Sequence, residues 1–331
     1  MRQLLLAATA AAALLLPVHA EEAAPAPSPG EIVEAAAAGE WVRIAPSDLL
    51  VMDLAPDAAG KPRRVVIQLM PPPFSQGWIG NIRKLAAAHW WDGTAITRVQ
   101  DNYVAQWGDP DGEDAVKAKP LPDGLATVPE SEYRTQWIEL KYDKSMKPLL
   151  EKWSEGGSAE TGPRSADVGP DNYAAAYLFD RGWPLATDED YEWPVHCYGM
   201  VGVGRNLSPD TGSGAELYAV IGHAPRHLDR NIALIGRVVS GIEHLSSLPR
   251  GTGPLGFYAD PAQRVPIASV RLASDLPEVG RPAFEYLSTE SDSFARYADA
   301  RANRRDPFFI RPAGGADICN IPVPVRAVGG K

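Results

Sequence analysis

Between Leu49 and Pro110 the apolar positions change period repeatedly, and each change marks an element. Leu49-Leu50-Val51-Met52-Asp53-Leu54 and Val65-Val66-Ile67-Gln68-Leu69 are apolar runs of strand length around a turn at Ala59-Gly60-Lys61. After Pro71-Pro72-Pro73, Ile79, Ile82 and Leu85-Ala86 recur at helical spacing, which predicts an amphipathic helix over Gly77–Ala88. Trp91-Asp92-Gly93-Thr94 ends it in a turn. From Ile96 onward polarity alternates on both sides of Asp101-Asn102, the pattern of a hairpin. Two strands, a helix and two strands suit a β-barrel whose open end is plugged by the helix.

From Asp111 to Pro194 this order is lost: charged runs, Pro and Gly alternate, with one helical candidate at Ser145–Trp153. The segment reads as a surface insertion rather than barrel wall. Strands resume at Gly199–Gly204, Leu217–Ile221, Ile232–Val239 and Ile267–Leu272, with a helix over Gly241–Leu248. A tail after Pro277 carries a helix beginning near Ser291 or Asp292, and Glu31–Ala38 predicts a short helix ahead of the barrel. The 31 Pro and 30 Gly, against roughly 12% combined in an average protein, favour turns over long helices.

Composition adds a compartment. Arg2, the apolar run Leu4–Leu16 and Val18-His19-Ala20 have the form of an export leader cleaved after Ala20. The run is too short to span a bilayer and no cysteine follows it to carry a lipid. Removing Arg2 takes the formal charge from −10 to −11. An acidic chain without a Lys/Arg block is not expected to bind nucleic acid, nor this one to insert in a membrane. Cys197 and Cys319 are an even count in what would be an oxidising compartment, which favours a disulfide; two separate thiols stay open, because sequence does not give their distance.

The hairpin holds the chemistry. Arg98, Tyr103 and Gln106 set a cation, an aromatic and an amide where paired strands return them to one face, a small site half apolar and half hydrogen-bonding. From Ile96 to Pro110 the order resembles the catalytic hairpin of cyclophilin-type peptidyl-prolyl isomerases, F-H-R-V-x-x-x-F-x-x-Q-G-G-D-P. A second block, Gly214 to Ile221, then His227-Leu228-Asp229 and Leu234 to Gly241, resembles that family's G-S-Q-F-F-I, W-L-D and V-F-G-x-V-x-x-G. Asn81-Ile82 and Trp91-Asp92-Gly93-Thr94 resemble its N-F and Y-D-G-T.

The resemblance covers about Asp48 to Ser274. It implies a mainly β chain, a cyclophilin-like closed antiparallel eight-stranded β-barrel capped by two helices. The expected order is a leader (1–20), a linker and short N-terminal segment (21–47), the barrel domain (48–275, with the insertion about 111–195) and a C-terminal extension (276–331). Carried over by position, Arg98 matches the catalytic arginine and Gln106 the glutamine that holds it and the substrate carbonyl. Tyr103 and Tyr218 match the two phenylalanines of the proline pocket, Val104 its methionine and Leu228 its leucine. Glu216, Leu217 and His227 stand where the family has glutamine, phenylalanine and tryptophan, and Arg205 sits near its backbone-binding asparagine. Thr97 replaces a histidine, and Ile232 stands where a pocket histidine is usual. The socket stays aromatic while its rim changes.

Prolyl isomerisation calls for no nucleophile, metal or cofactor, only a dry aromatic slot, anchors for the flanking carbonyls and a fixed donor toward the prolyl nitrogen. Competing sites are weaker. His223 and His227 are four apart, but Pro225 between them disfavours a helix and no carboxylate completes a zinc set. Gly202-Val203-Gly204 lacks the rest of a dinucleotide fingerprint. Cys197 beside His196 suggests a thiol hydrolase, yet neighbours on a strand face opposite ways. Trp90-Trp91 reads as cover for the barrel end. The expected protein is a periplasmic, monomeric isomerase of proline-containing polypeptides; the rival is a non-catalytic peptide-binding barrel or chaperone.

Overall fold

The apolar runs build the wall of a closed antiparallel barrel. In the computed structural model, whose described residues are 25–136, 173–188 and 190–329, the chain enters through helix α1 (Pro29–Glu34), closed by a reciprocal Ser28–Glu31 cap, and an outlying strand β1 (Trp41–Arg43). Strands β2 (Leu49–Leu54) and β3 (Arg63–Leu69) precede helix α2 (Gln76–Ala87), and β4 (Ala95–Val99) and β5 (Val104–Gly108) form the hairpin. The intervening segment contributes β6 (Thr135–Gln136), β7 (Ala176–Asp180), β8 (Trp183–Thr187) and β9 (Tyr191–Pro194), paired in the order β6-β9-β8-β7. Then come β10 (Met200–Val203), β11 (Leu217–Val220), β12 (Leu234–Ser240), the helical turn α3 (Glu243–Ser246) and β13 (Val265–Leu272). The barrel closes in the order β10-β11-β5-β4-β13-β2-β3-β12. The tail adds β14 (Phe284–Leu287), α4 (Asp292–Ala302) and β15 (Val325–Ala327), with β14 between β1 and β15.

Strand period decides what lies inside. Ala105 and Trp107 of β5, Leu217 and Ala219 of β11, and Val201 and Val203 of β10 join the main core, while Gln106, Tyr218 and Gly202 between them face the other side. The helix packs Trp78, Ile79, Ile82, Leu85 and Ala86 into the same core. β2 shows no polar alternation because its second face is also covered. Leu49 and Val51 pack with Val66, Ala273, Phe284 and Tyr286, so the tail sheet lies over the outside of the barrel there. No described helix is long and apolar enough to cross a membrane.

Three expectations need correction. The described residues of the segment from Asp111 to Pro194 add no strand to the barrel wall, as expected, but they are more than a surface excursion. Its first part is strapped to α2 by Asn81, which exchanges hydrogen bonds with Ala126 of 2.8 and 2.7 Å, and by Tyr133 stacked on Trp78. Its second part buries Trp183, Leu185 and Trp193; β8 is buried at every position, so no two-residue period shows in its sequence. Secondly, α1 spans Pro29–Glu34 and α3 only Glu243–Ser246, both shorter than expected. Thirdly, Leu217 is fully buried in the core and forms no part of the rim. The expected leader (1–20) and the helix at Ser145–Trp153 lie outside the described residues.

The extensions are joined to the barrel by several kinds of contact. Cys197 and Cys319 are bridged, their Cα atoms 5.1 Å apart across 122 residues of sequence. Arg237 of β12, buried, donates to the Gly182 carbonyl at 2.7 Å and lies 4.6 Å from the Trp183 ring. Burial pushes its guanidinium down to about 10, and the neighbouring Tyr286 works the other way.

Candidate active site

One row of the barrel wall gathers the candidate residues. Register pairs Arg98 of β4 with Gln106 of β5, Gln106 with Tyr218 of β11, and Tyr218 with Gly202 of β10. Four adjacent strands thus present these residues on one outward face. A bulge between Ile96 and Arg98 brings the arginine into line with Gln106. The turn that reverses the hairpin places Asn102 at a φ of 50°, a left-handed position that suits asparagine.

The guanidinium of Arg98 is held by neutral oxygens. Its Nε donates to the Leu255 carbonyl at 2.6 Å, one terminal nitrogen to Gln106 Oε1 at 2.9 Å, and the other to the Gln100 side chain. These acceptors use three of five N–H groups. The rings of Tyr103 and Phe257 lie 5.6 and 5.5 Å from it. Burial lowers its pKa, opposed by Tyr103 and Glu216, and a guanidinium keeps its charge in proteins. A cation is therefore fixed in place with N–H groups to spare.

Beside it lies an apolar socket, distinct from the main core, built from Val104, Tyr218 and Val220 with Tyr103 and Ile232 packed against them. Tyr103 is half-buried and stacks on exposed His227, with centroids 6.3 Å apart. Socket and cation open into one groove of about 910 Å³, lined also by Gln106, Arg205, Glu216, Leu228 and the 255–258 loop. Arg205 braces that wall by donating to the Asn231 and Asn206 carbonyls. Of the expected residues, Arg98, Tyr103, Val104, Gln106, Arg205, Glu216, Tyr218 and Leu228 line the groove; His227 backs Tyr103, and Leu217 is internal. Leu255, Phe257 and Gly202 were not expected, the first two because they meet Arg98 from more than 150 positions away in sequence, 157 in the case of Leu255. Among the described residues, no cluster of three or more His, Cys, Asp and Glu side chains could hold a metal ion.

Glu216 shares Gln106 with the arginine. Burial raises its carboxyl above the ordinary range, the Gln106 hydrogen bond opposes this, and nearby Glu113 adds to it. Below the ordinary carboxylate pKa, folded and unfolded chains both hold the proton. As pH rises the unfolded chain ionises first, so the native state loses stability until the raised pKa is passed. Glu216→Gln should thus be more stable than the parent at neutral pH and equal to it near pH 4, checked by urea midpoints at both values.

The sequence profile of the family described as "Cyclophilin type peptidyl-prolyl cis-trans isomerase/CLD" matches residues 77–272. No curated protein matches the chain significantly. Among solved structures, cyclophilin AquaCyp293 from Hirschia baltica is similar with a TM-score of 0.61 and 21% identity, over 87% of this chain and 93% of that one. A cyclophilin type peptidyl-prolyl cis-trans isomerase of Cryptosporidium parvum gives a TM-score of 0.38 at 11% identity, covering 68% of this chain and 97% of its own. That protein in the presence of the dipeptide Ala-Pro gives 0.35 at 11%, covering 67% and 98%. The profile match spans more than half of the sequence, across the hairpin, the socket strand and the closing strand of the barrel. This chain belongs to the cyclophilin-type peptidyl-prolyl cis-trans isomerase family.

Proposed function

We propose that the chain accelerates cis-trans isomerisation of X-Pro bonds in exported polypeptides, with Arg98 as the electrophilic donor. The observation that carries this is the Arg98–Gln106–Tyr218 row, which sets a fixed cation beside an apolar, partly aromatic socket. Amide resonance holds the bond planar behind a barrier of about 18–20 kcal/mol. The pyrrolidine ring enters between Tyr103, Val104, Tyr218, Leu228 and Ile232. Gln106 orients the guanidinium, and an N–H of Arg98 meets the prolyl nitrogen as it loses conjugation. That interaction strengthens toward the twisted state and so lowers the barrier. The periplasmic setting is supported by the form of the N-terminal leader and by the disulfide.

A protease-coupled assay of prolyl-peptide isomerisation on the mature chain tests the reading. Acceleration supports it; tight peptide binding without acceleration would favour the non-catalytic barrel. That rival draws on Arg205, which spends its donors on Asn231 and Asn206 at the place of the family's backbone-binding asparagine. Gly202 offers a further check. A Cβ there would stand 2.3 Å from the Tyr218 hydroxyl, so Gly202→Ala should push the ring into the socket. We expect kcat/KM to fall about tenfold with a stability loss of about 1–3 kcal/mol, the range for overpacking. Unchanged turnover would show that Tyr218 does not floor the socket.

A further inference from the structure

Behind the socket, the Tyr218 hydroxyl ends a buried polar chain for which the proposed mechanism has no use. It lies 2.9 Å from His196 Nε2, and His196 Nδ1 is 2.8 Å from Asp229 Oδ1. The His196 backbone N–H donates to the same oxygen at 2.9 Å, and Arg226 Nε donates to Asp229 Oδ2 at 2.6 Å. The side chains of His196, Asp229 and Arg226 are 1%, 2% and 3% exposed. The carboxylate facing Nδ1 requires a proton there. In the neutral ring Nε2 is then an acceptor, and the tyrosine hydroxyl donates to it.

The tether has a mechanical reason. Tyr218 reaches across Gly202, which has no side chain to stop the ring from swinging, and the far end of the ring is where His196 holds it. We propose that His196 is a positioning residue of the isomerase site: with Asp229 and Arg226 fixing its ring, it holds Tyr218 by the hydroxyl and so sets the shape of the proline socket. This rests on the isomerase reading above. A phenylalanine at 218, as in the family pattern, would leave a buried acceptor unpaired on His196. The hydroxyl and the histidine therefore belong together.

The experiment compares the full chain with Tyr218→Phe, His196→Leu, the double variant and His196→Gln. Each is measured for kcat, KM, prolyl-peptide affinity by NMR titration, and urea midpoint. Each of the first two should lower kcat/KM about three- to tenfold, the equivalent of one net hydrogen bond, mainly through KM. The double variant removes the same tether as either single variant and should lose no more than the worse of them, a coupling that independent sites do not show. His196→Gln keeps an acceptor and a donor and should retain most activity; if His196→Leu does not fold, this variant and Tyr218→Phe decide the matter. Losses that multiply in the double variant, or urea midpoints that fall while KM stays fixed, would overturn the proposal. A parent protein that binds the peptide without isomerising it would overturn the isomerase reading instead, and the same comparison is then read from the affinities.

Discussion

Arg98→Ala should lower kcat/KM toward prolyl peptides roughly a hundred- to a thousandfold, the loss of about 3–4 kcal/mol typical of one preorganised donor in a water-poor site. The fold should survive. Arg98 is only half-buried, on the outward face of β4, and its partners there are the Leu255 carbonyl and two side-chain amides. Neighbouring Ile96 and Val99, which enter the core, stay in place. Stability should change by no more than about 1 kcal/mol, as for other substitutions away from the core. Gln106→Ala should lose less, since it orients the guanidinium and does not meet the changing nitrogen. Addition of a chelator should change neither rate. Peptide isomerisation at parental speed by folded Arg98→Ala would end the case for catalysis at this site.

The second large effect concerns stability. Removing the bridge in Cys197→Ser/Cys319→Ser should cost on the order of 4–5 kcal/mol by the chain-entropy estimate for so long a loop. The bond joins the segment leading into β10 to the tail, where Ile318 and Ile321 are already buried. The native contacts of the tail should hold in the folded protein, so the loss falls on the unfolded side, where the untethered chain gains freedom. Urea denaturation of the parent with and without reductant, beside the double variant, measures it. Coincident midpoints would mean that noncovalent contacts alone hold the tail.

The barrel and most of the groove were legible in the sequence because they rest on short-range signals. Apolar runs of strand length marked β2 and β3, period-3.6 spacing α2 and alternating polarity the hairpin β4–β5, and the spacing of Arg98, Tyr103 and Gln106 matched a pattern that needs only one hairpin. What escaped depends on distant pairing. β1 and β15 are three residues each, too short for a period to show, and exist because β14 lies between them. His196 gave no sign of its buried contacts, because its partners Tyr218 and Asp229 are 22 and 33 positions away. Leu217 was misplaced although a signal existed: strand neighbours of Tyr218 must face the other way, and alternation alone puts Leu217 inside.

The cross-strand row has a consequence for how such a site can vary over generations. Arg98, Gln106, Tyr218 and Gly202 are aligned by hydrogen-bond register in a wall that closes on itself. A one-residue insertion within β5 or β11 would turn the groove face into the core face along that strand and dismantle socket and cation together. Replacement of single side chains leaves the register untouched, as do long additions at the ends of strands. This chain departs from its family in both tolerated ways, with new residues at 97, 216, 227 and 232 and a long segment between β5 and β10. Exchange of a groove side chain or a longer loop is therefore compatible with the site, whereas a change in the number of residues within β5 or β11 is not.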